Sequence, residues 1–314
     1  GVWSLAEANA YTAAGLWPIA GNVNPRAVFY GQTSPSLAIE YVQINTLGNA
    51  SDFGDSSSSQ YTPVGGIASS TRGILAGGAN TSSVGFRDFI HYVTIASTGN
   101  ATAFGDLTGN ARFAAGGSNG TRGVRLAGES SQNIYTNVID YITIASTGNA
   151  TDFGDTTVSA YATTGVSSPT RIVRAGGINS GAGNVMDYIT IATTGNATDF
   201  GDLTTSSPVG GAAGCSSDTR GLYGGIYDAG ATNKIEYITI ATTGNSTNFG
   251  NLGTAQYAGG AASSNTRGLF AGGTANQDIE FVSIATTGNS VGFGNLSALQ
   301  IGNSGFSNSH GGLQ

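Results

Sequence analysis

Charge is scarce in this 314-residue sequence: 9% of its residues are Asp, Glu, Lys or Arg, and the formal net charge is −7. A nucleic-acid partner, which takes a basic face, is therefore not expected. Cysteine occurs once, at Cys215, so no intramolecular disulfide can form and a small disulfide-framed scaffold is excluded. Histidine occurs only at His91 and His310, in unrelated contexts, with no Cys–His pair and no zinc spacing. No apolar run approaches the roughly 20 residues that cross a bilayer as a helix, so no membrane insertion is expected. Too little Leu, Lys and Glu is present for a helical domain. The chain opens at Gly1 rather than Met, which reads as a processed product or part of something longer.

What is present is 39% apolar residues and 51 Gly, with Ser, Thr and Asn at the polar positions. That much apolar content argues against a disordered chain, and the small polar residues suit short strands joined by tight turns. One phrase also recurs: IDYITIASTGNATDFG (139–154), MDYITIATTGNATDFG (186–201) and IEYITIATTGNSTNFG (235–250). Its aromatic returns as Tyr41, Tyr92, Tyr141, Tyr188, Tyr237 and Phe281. Arg26, Arg72, Arg122, Arg171, Arg220 and Arg267 keep the same rhythm, as do Phe53, Phe104, Phe153, Phe200, Phe249 and Phe293 of the FG pairs. Six copies of three landmarks mark a repeat architecture with a period near 50 residues.

Each unit reads as four short strands. In the last complete one these are 257–264, 267–273, 279–287 and 290–296, the third apolar on both sides and so expected to be buried on both. The Gly-Asn at 288–289 is expected to make the hairpin turn between the last two. A β-helix is the rival, but its coils are shorter and need no matching ends. Here the chain enters on a second strand (25–31) and leaves on a first strand (298–309), so the two fragments complete one blade and remove the free sheet edges. The expectation is an all-β, six-bladed β-propeller over 25–314, four antiparallel strands per blade, with the first blade closed by the C-terminal strand. Residues 1–24 form a separate segment, in which Ser4 and Glu7 make a capping box for a short helix ended by Pro18.

The period and the diglycines Gly77-Gly78, Gly176-Gly177, Gly224-Gly225 and Gly272-Gly273 resemble kelch-type repeats. Two blades depart, with Gly31-Gln32 and Gly128-Glu129, and Phe replaces the usual fourth-strand Trp. The wording itself, YITIATTGNATDFGDL with TRGLFAGG, resembles repeats in structural proteins of tailed bacteriophages of the marine and cyanobacterial type. GVWSL…LWP is similar to the start of C-terminal domains of phage tail and fibre proteins. The resemblance implies a virion protein of a tail fibre, spike or head fibre, joined to other virion proteins from its N-terminal side. A homo-oligomer would suit a fibre, although no coiled-coil heptads are present.

The six Arg should form a ring on one face. As a functional site it would bind carboxylate or phosphate; as structure, each guanidinium would tie down carbonyls of the adjacent TTGN hairpin or meet Asp52, Asp152 or Asp199. A residue present in every blade usually serves the blade, and the structural reading is preferred. The acids Glu40, Asp140, Asp187, Glu236 and Glu280, with His91 as the exception, and Asp55, Asp106, Asp155 and Asp202 recur toward the opposite face. They lack a calcium-loop pattern and read as strand-end and turn caps rather than a metal site. The N-x-S/T triplets at Asn49, Asn100, Asn149, Asn196 and Asn245 read as turn chemistry rather than glycosylation. Catalysis has little to work with, no cofactor is expected, and the chain is read as a non-enzyme.

The copies disagree after the second strand: 79–87, 129–137, 178–184, 226–233 and 274–277 vary in length and content. Phe86, Arg87, Tyr135, Tyr227 and Asp228 are the candidate contacts there, since aromatics pack on sugars or protein surfaces with little loss of entropy. The expected task is adhesion to a host-surface glycan or protein. The alternatives are a purely structural virion module and, in third place, a propeller hydrolase of surface polysaccharide.

Overall fold

The computed structural model describes residues 25–31, 37–58, 60–80, 85–178, 183–205, 211–274 and 276–309. Residues 1–24, and with them the expected helix, lie outside the described residues, and no helix occurs within those.

Six antiparallel four-stranded sheets form a ring: the chain is a six-bladed β-propeller. Blade 1 is Ser304–Ser307, Arg26–Tyr30, Ala38–Gln43 and Ser51–Asp55, so the C-terminal strand closes the first blade as expected. Blade 2 is Ile67–Ala68, Arg72–Ala76, Phe89–Thr94 and Thr102–Asp106; blade 3 is Ala115–Ser118, Arg122–Ser131, Ile134–Thr143 and Thr151–Asp155. Blade 4 is Thr164–Ser167, Arg171–Ala175, Val185–Thr190 and Thr198–Asp202. Blade 5 is Ala213–Ser216, Arg220–Gly224, Thr232–Thr239 and Thr247–Gln256, and blade 6 is Gly260–Ser263, Arg267–Ala271, Asp278–Ser283 and Val291–Asn295. The first strand of each blade lies at the axis against the first strands of its two neighbours.

Each hydrophobic cluster spans two neighbouring blades, as where Val166, Met186 and Phe200 of blade 4 meet Tyr223 and Ile238 of blade 5. A blade therefore has no core of its own and is stable only in the ring. The FG landmark has a local cause. In every blade the register between third and fourth strands shifts at the FG pair, as where Ile39 pairs Gly54 but Glu40 pairs Asp52. The skipped Phe53 is the extra residue of a β-bulge, which turns its ring inward; all six such rings are buried.

Three sequence expectations need correction. The third strand is not buried throughout: Ile279, Val282 and Ile284 are buried, Phe281 is half-buried, and Ser283 and Ala285 are exposed. The chain reverses before Gly-Asn, not at it, through bonds such as Thr286 N–H to the Ser283 carbonyl at 3.2 Å. Gly288 and Asn289 instead serve the blade seam, where Gly288 N–H meets the Phe249 carbonyl at 2.9 Å and Asn289 Oδ1 accepts Asn251 N–H at 3.0 Å. Finally, the diglycine of blade 5 is one residue early: Gly224 ends the strand, and Gly225 takes the left-handed place of Gly77, Gly176 and Gly272.

Candidate functional site

The repeated residues prove to be fastenings between blades. Each ring-forming Arg lies over the third-strand aromatic of its own blade, with the guanidinium carbon 4.2–4.5 Å from the ring centre. The same aromatic meets the bulged Phe edge-on at 5.9–6.2 Å. Nη1 then reaches into the next blade and donates to the carbonyl of Ile95, Ile144, Ile191, Ile240, Ile284 or Ile44, at 2.7–3.2 Å. This is the carbonyl contact expected from the sequence; no ion pair to Asp52, Asp152 or Asp199 forms among the described residues. A guanidinium stacked on one side and bonded in its plane has little left for an anion.

The recurring acids face the opposite way across the seam, each holding the turn that ends the preceding blade. Asp187 accepts Thr157 N–H at 2.8 Å and its hydroxyl at 2.7 Å; Glu280 accepts Gly253 N–H at 2.8 Å; Glu40 accepts Ser297 N–H at 3.0 Å. Asp140 and Glu236 do the same for Thr108 and Thr204. In blade 2 the place belongs to His91, whose Nε2 lies 2.8 Å from Ser57 Oγ. The residue opposite on the second strand changes in step: Arg125 and Arg174 face the Asp residues, Phe29, Tyr223 and Phe270 face the Glu residues, and Leu75 faces His91. A short carboxylate is completed by a buried Arg, a longer one reaches its donors over an aromatic.

The face away from the Arg ring holds a different arrangement, at the axis. As the chain enters each first strand, one residue turns left-handed: Thr62 (φ 52°), Phe113 (50°), Ala162 (58°), Gly211 (66°), Ala258 (56°) and Gly302 (75°). Four of these carry a side chain that disfavours the conformation by about 1–2 kcal/mol each. Backbone bonds hold them there. Phe113 donates to Thr62, Thr62 to Gly302, Gly302 to Ala258, Ala258 to Gly211, Gly211 to Ala162, and Thr163 back to Phe113, at 2.5–3.2 Å. The six bonds close a circle around the axis.

Above this circle lies a bowl of about 350 Å³, lined by Tyr61, Arg112, Phe113, Tyr161, Ala162, Ile178, Gly211, Tyr227, Tyr257 and Ala258. Its walls are fixed by pairs of backbone bonds to the varied loops, Tyr61 with Ala79, Arg112 with Glu129 and Tyr161 with Ile178, at 2.8–3.2 Å. Tyr61 and Tyr161 each meet Phe113 edge-on, at 6.2 and 5.8 Å, and Tyr227 meets Tyr257 at 5.0 Å. Strained backbone concentrated beneath such a cluster is a mark of functional sites.

Arg112 is the one charged side chain lining the bowl among the described residues, and it is already partnered. Its Nη2 and Nε both lie 2.7 Å from Glu129 Oε2, in a pair that is almost fully buried. Phe86 and Phe113 cover the guanidinium, at 4.6 and 5.5 Å. Burial raises the Tyr61 phenol above its ordinary pKa, against the lowering influence of Arg112. Burial, then Tyr135 and Glu129, raise that of Tyr161. Both remain neutral hydrogen-bonding groups at neutral pH.

Of the residues singled out from the sequence, Tyr227 lines the bowl, Tyr135 stacks on Tyr161 at 4.6 Å, and Phe86 covers Arg112. The other two stand apart from it. Arg87 donates to Asn80 Oδ1, and Asp228 lies 3.7 Å from Lys234 Nζ in an open pair. Sequence reasoning missed Tyr61, Arg112, Phe113, Tyr161 and Tyr257, which sit between blades; Tyr257 was expected to open a first strand, which begins instead at Gly260. A signal was available: Tyr61, Arg112, Tyr161 and Tyr257 each stand eight residues after the Phe of an FG pair. Cys215 is wholly buried, which pushes its thiol pKa up and leaves it no role as a nucleophile.

No protein-family profile matches this chain, and no curated protein matches it in sequence.

Proposed function

We propose that this propeller is a non-catalytic recognition module of a tailed-phage virion, carried on a tail fibre, spike or head fibre, which attaches to the host surface through its varied-loop face. The bowl on the axis is the observation that carries the reading. Aromatic side chains from several blades converge there, while the six repeated Arg and the third-strand acids Glu40, Asp140, Asp187, Glu236 and Glu280 are spent on the seams. No carboxylate lines the bowl among the described residues, whereas glycoside hydrolysis generally takes two flanking the scissile bond. The phage setting is supported by the wording of the repeats and of residues 1–24, and kelch-like ancestry by the diglycines and the period.

The test is a cell-binding assay with the labelled full chain on a panel of marine cyanobacteria and other marine bacteria. Saturable binding to particular strains, abolished in the Tyr161→Ala/Tyr227→Ala double variant, is expected. A chain that binds no strain saturably removes the adhesion reading and favours a module that docks only to other virion proteins.

A further inference from the structure

Four observations narrow what the bowl can take. First, its surface is amphipathic: aromatic rings and Ile178 supply apolar area, and tyrosines supply neutral donors and acceptors. A ligand matching it carries an apolar face bordered by hydroxyl groups. Second, the described residues give the bowl no net charge to offer. Arg112 is neutralised by Glu129 and covered by two rings, so it does not call for an anion. Its guanidinium in the wall also opposes a cation, which the tyrosines alone would attract.

Third, the bowl is constricted below. The circle of backbone bonds forms its floor, and the axial space beneath measures only about 60 Å³. The first strands pass so closely there that a Cβ added at Gly116 would stand 2.2 Å from the Gly65 carbonyl oxygen. The axial space therefore narrows sharply beneath the bowl. Fourth, about 350 Å³ lies near the lower limit for small-molecule sites, which run from roughly 300 to 1,000 Å³.

We infer that the bowl receives the uncharged terminal pyranose of a glycan, end-on, with the sugar's apolar face against the tyrosines and its hydroxyl groups on their phenols. This deepens the adhesion reading and rests on it for its biological setting, but the chemistry is tested separately. The constricted floor admits the end of a chain and excludes its middle. The rigid wall, fixed by paired backbone bonds and the Arg112–Glu129 contact, holds the rings in place before the sugar arrives, so little entropy is lost on binding.

The experiment is ligand-observed saturation-transfer NMR on the full chain with four probe sets. These are methyl glycosides of neutral hexoses and N-acetylhexosamines, methyl glycosides of glucuronic and sialic acid, choline, and a cyclic glucan that has no terminal residue. At least one neutral glycoside should give a signal, while the acidic probes, choline and the cyclic glucan give none. Tyr227→Ala and Tyr257→Ala should each weaken binding about tenfold, and Tyr227→Phe, which keeps the ring, by less; all three should melt as the parent does. Binding only of a charged probe, equal binding of the cyclic glucan, no response from any neutral glycoside, or undiminished binding in both Ala variants overturns the inference. Cell binding that no neutral glycoside competes away leaves adhesion standing without this ligand. Glycoside binding without cell binding retains the ligand and removes the adhesion.

Discussion

The two faces of the ring are made from the same six repeats and obey opposite rules. On the Arg face every blade does one thing: an Arg lies on its own aromatic and bonds a carbonyl of the next blade. On the other face the loops vary, and the position eight residues after the FG Phe is only partly kept: Tyr61, Tyr161 and Tyr257 in three units, Arg112 in a fourth, Pro208 and Ile301 in the other two. The difference teaches where constraint comes from in a closed ring. A blade must present to its successor what its predecessor presented to it, so seam residues repeat. Loops that touch no neighbouring seam are free to diverge. A charged residue present in six copies is thus a poor candidate for ligand binding here, and an aromatic outside the repeated phrase is a good one.

The seams can be broken in graded steps. The largest effect is expected at Arg174, which is wholly buried and holds Asp187 through bonds of 2.7 and 3.0 Å. Arg174→Ala leaves an uncompensated carboxylate and should lose about 3–5 kcal/mol in urea unfolding. The double variant Arg174→Phe/Asp187→Glu copies the arrangement of blade 6 and should recover most of that loss; if it does not, the two seam chemistries are not equivalent.

A seam glycine comes next. Gly201 has φ +140°, and an added Cβ would stand 2.5 Å from the Gly244 carbonyl oxygen of the next blade. Gly201→Ala should cost about 1–3 kcal/mol through overpacking, visible as a lower melting temperature. A smaller effect is expected at Asn245, whose Oδ1 accepts Asp202 N–H across the seam at 3.0 Å. Asn245→Ala should remove about 1 kcal/mol in chemical denaturation. A loss of sugar binding in either variant at a temperature where it is folded would blur the division between the faces.

The smallest effect concerns pH. His91 stands where five blades carry a carboxylate, and burial lowers its pKa below the ordinary value near 6.5, with Asp106 opposing. A histidine depressed in the folded state adds stability that is present above the unfolded pKa and lost as pH falls through it. Between pH 7 and 5 the parent should therefore lose slightly more melting temperature than His91→Gln. Equal losses would show that blade 2 tolerates a charged imidazole as other blades tolerate a carboxylate.

Much of the fold was legible because the repeat supplies its own alignment. The three landmarks fixed six units, and the mid-unit ends at 25–31 and 298–309 foretold the closing strand that Phe306 joins to Val28. Local pattern failed where a residue's partner lies in another blade. Gly-Asn looked like a hairpin turn, because nothing within the phrase shows that its N–H and side chain belong to the preceding blade. Of the site, Phe86, Tyr135 and Tyr227 were found by their variability. Tyr61, Tyr161 and Tyr257 were not, since only ring closure brings together residues so far apart in the chain.

The sequence by itself determined the strands, their number and the closure of the ring, because those follow from short-range pattern repeated at a fixed period. It also set which residues must be alike. Only the tertiary structure decided that the alike residues join blade to blade, that six left-handed residues bond in a circle, and that aromatics from four blades face one bowl. Those contacts exist only once the ends of the chain have met, and no stretch of sequence shorter than the ring contains them.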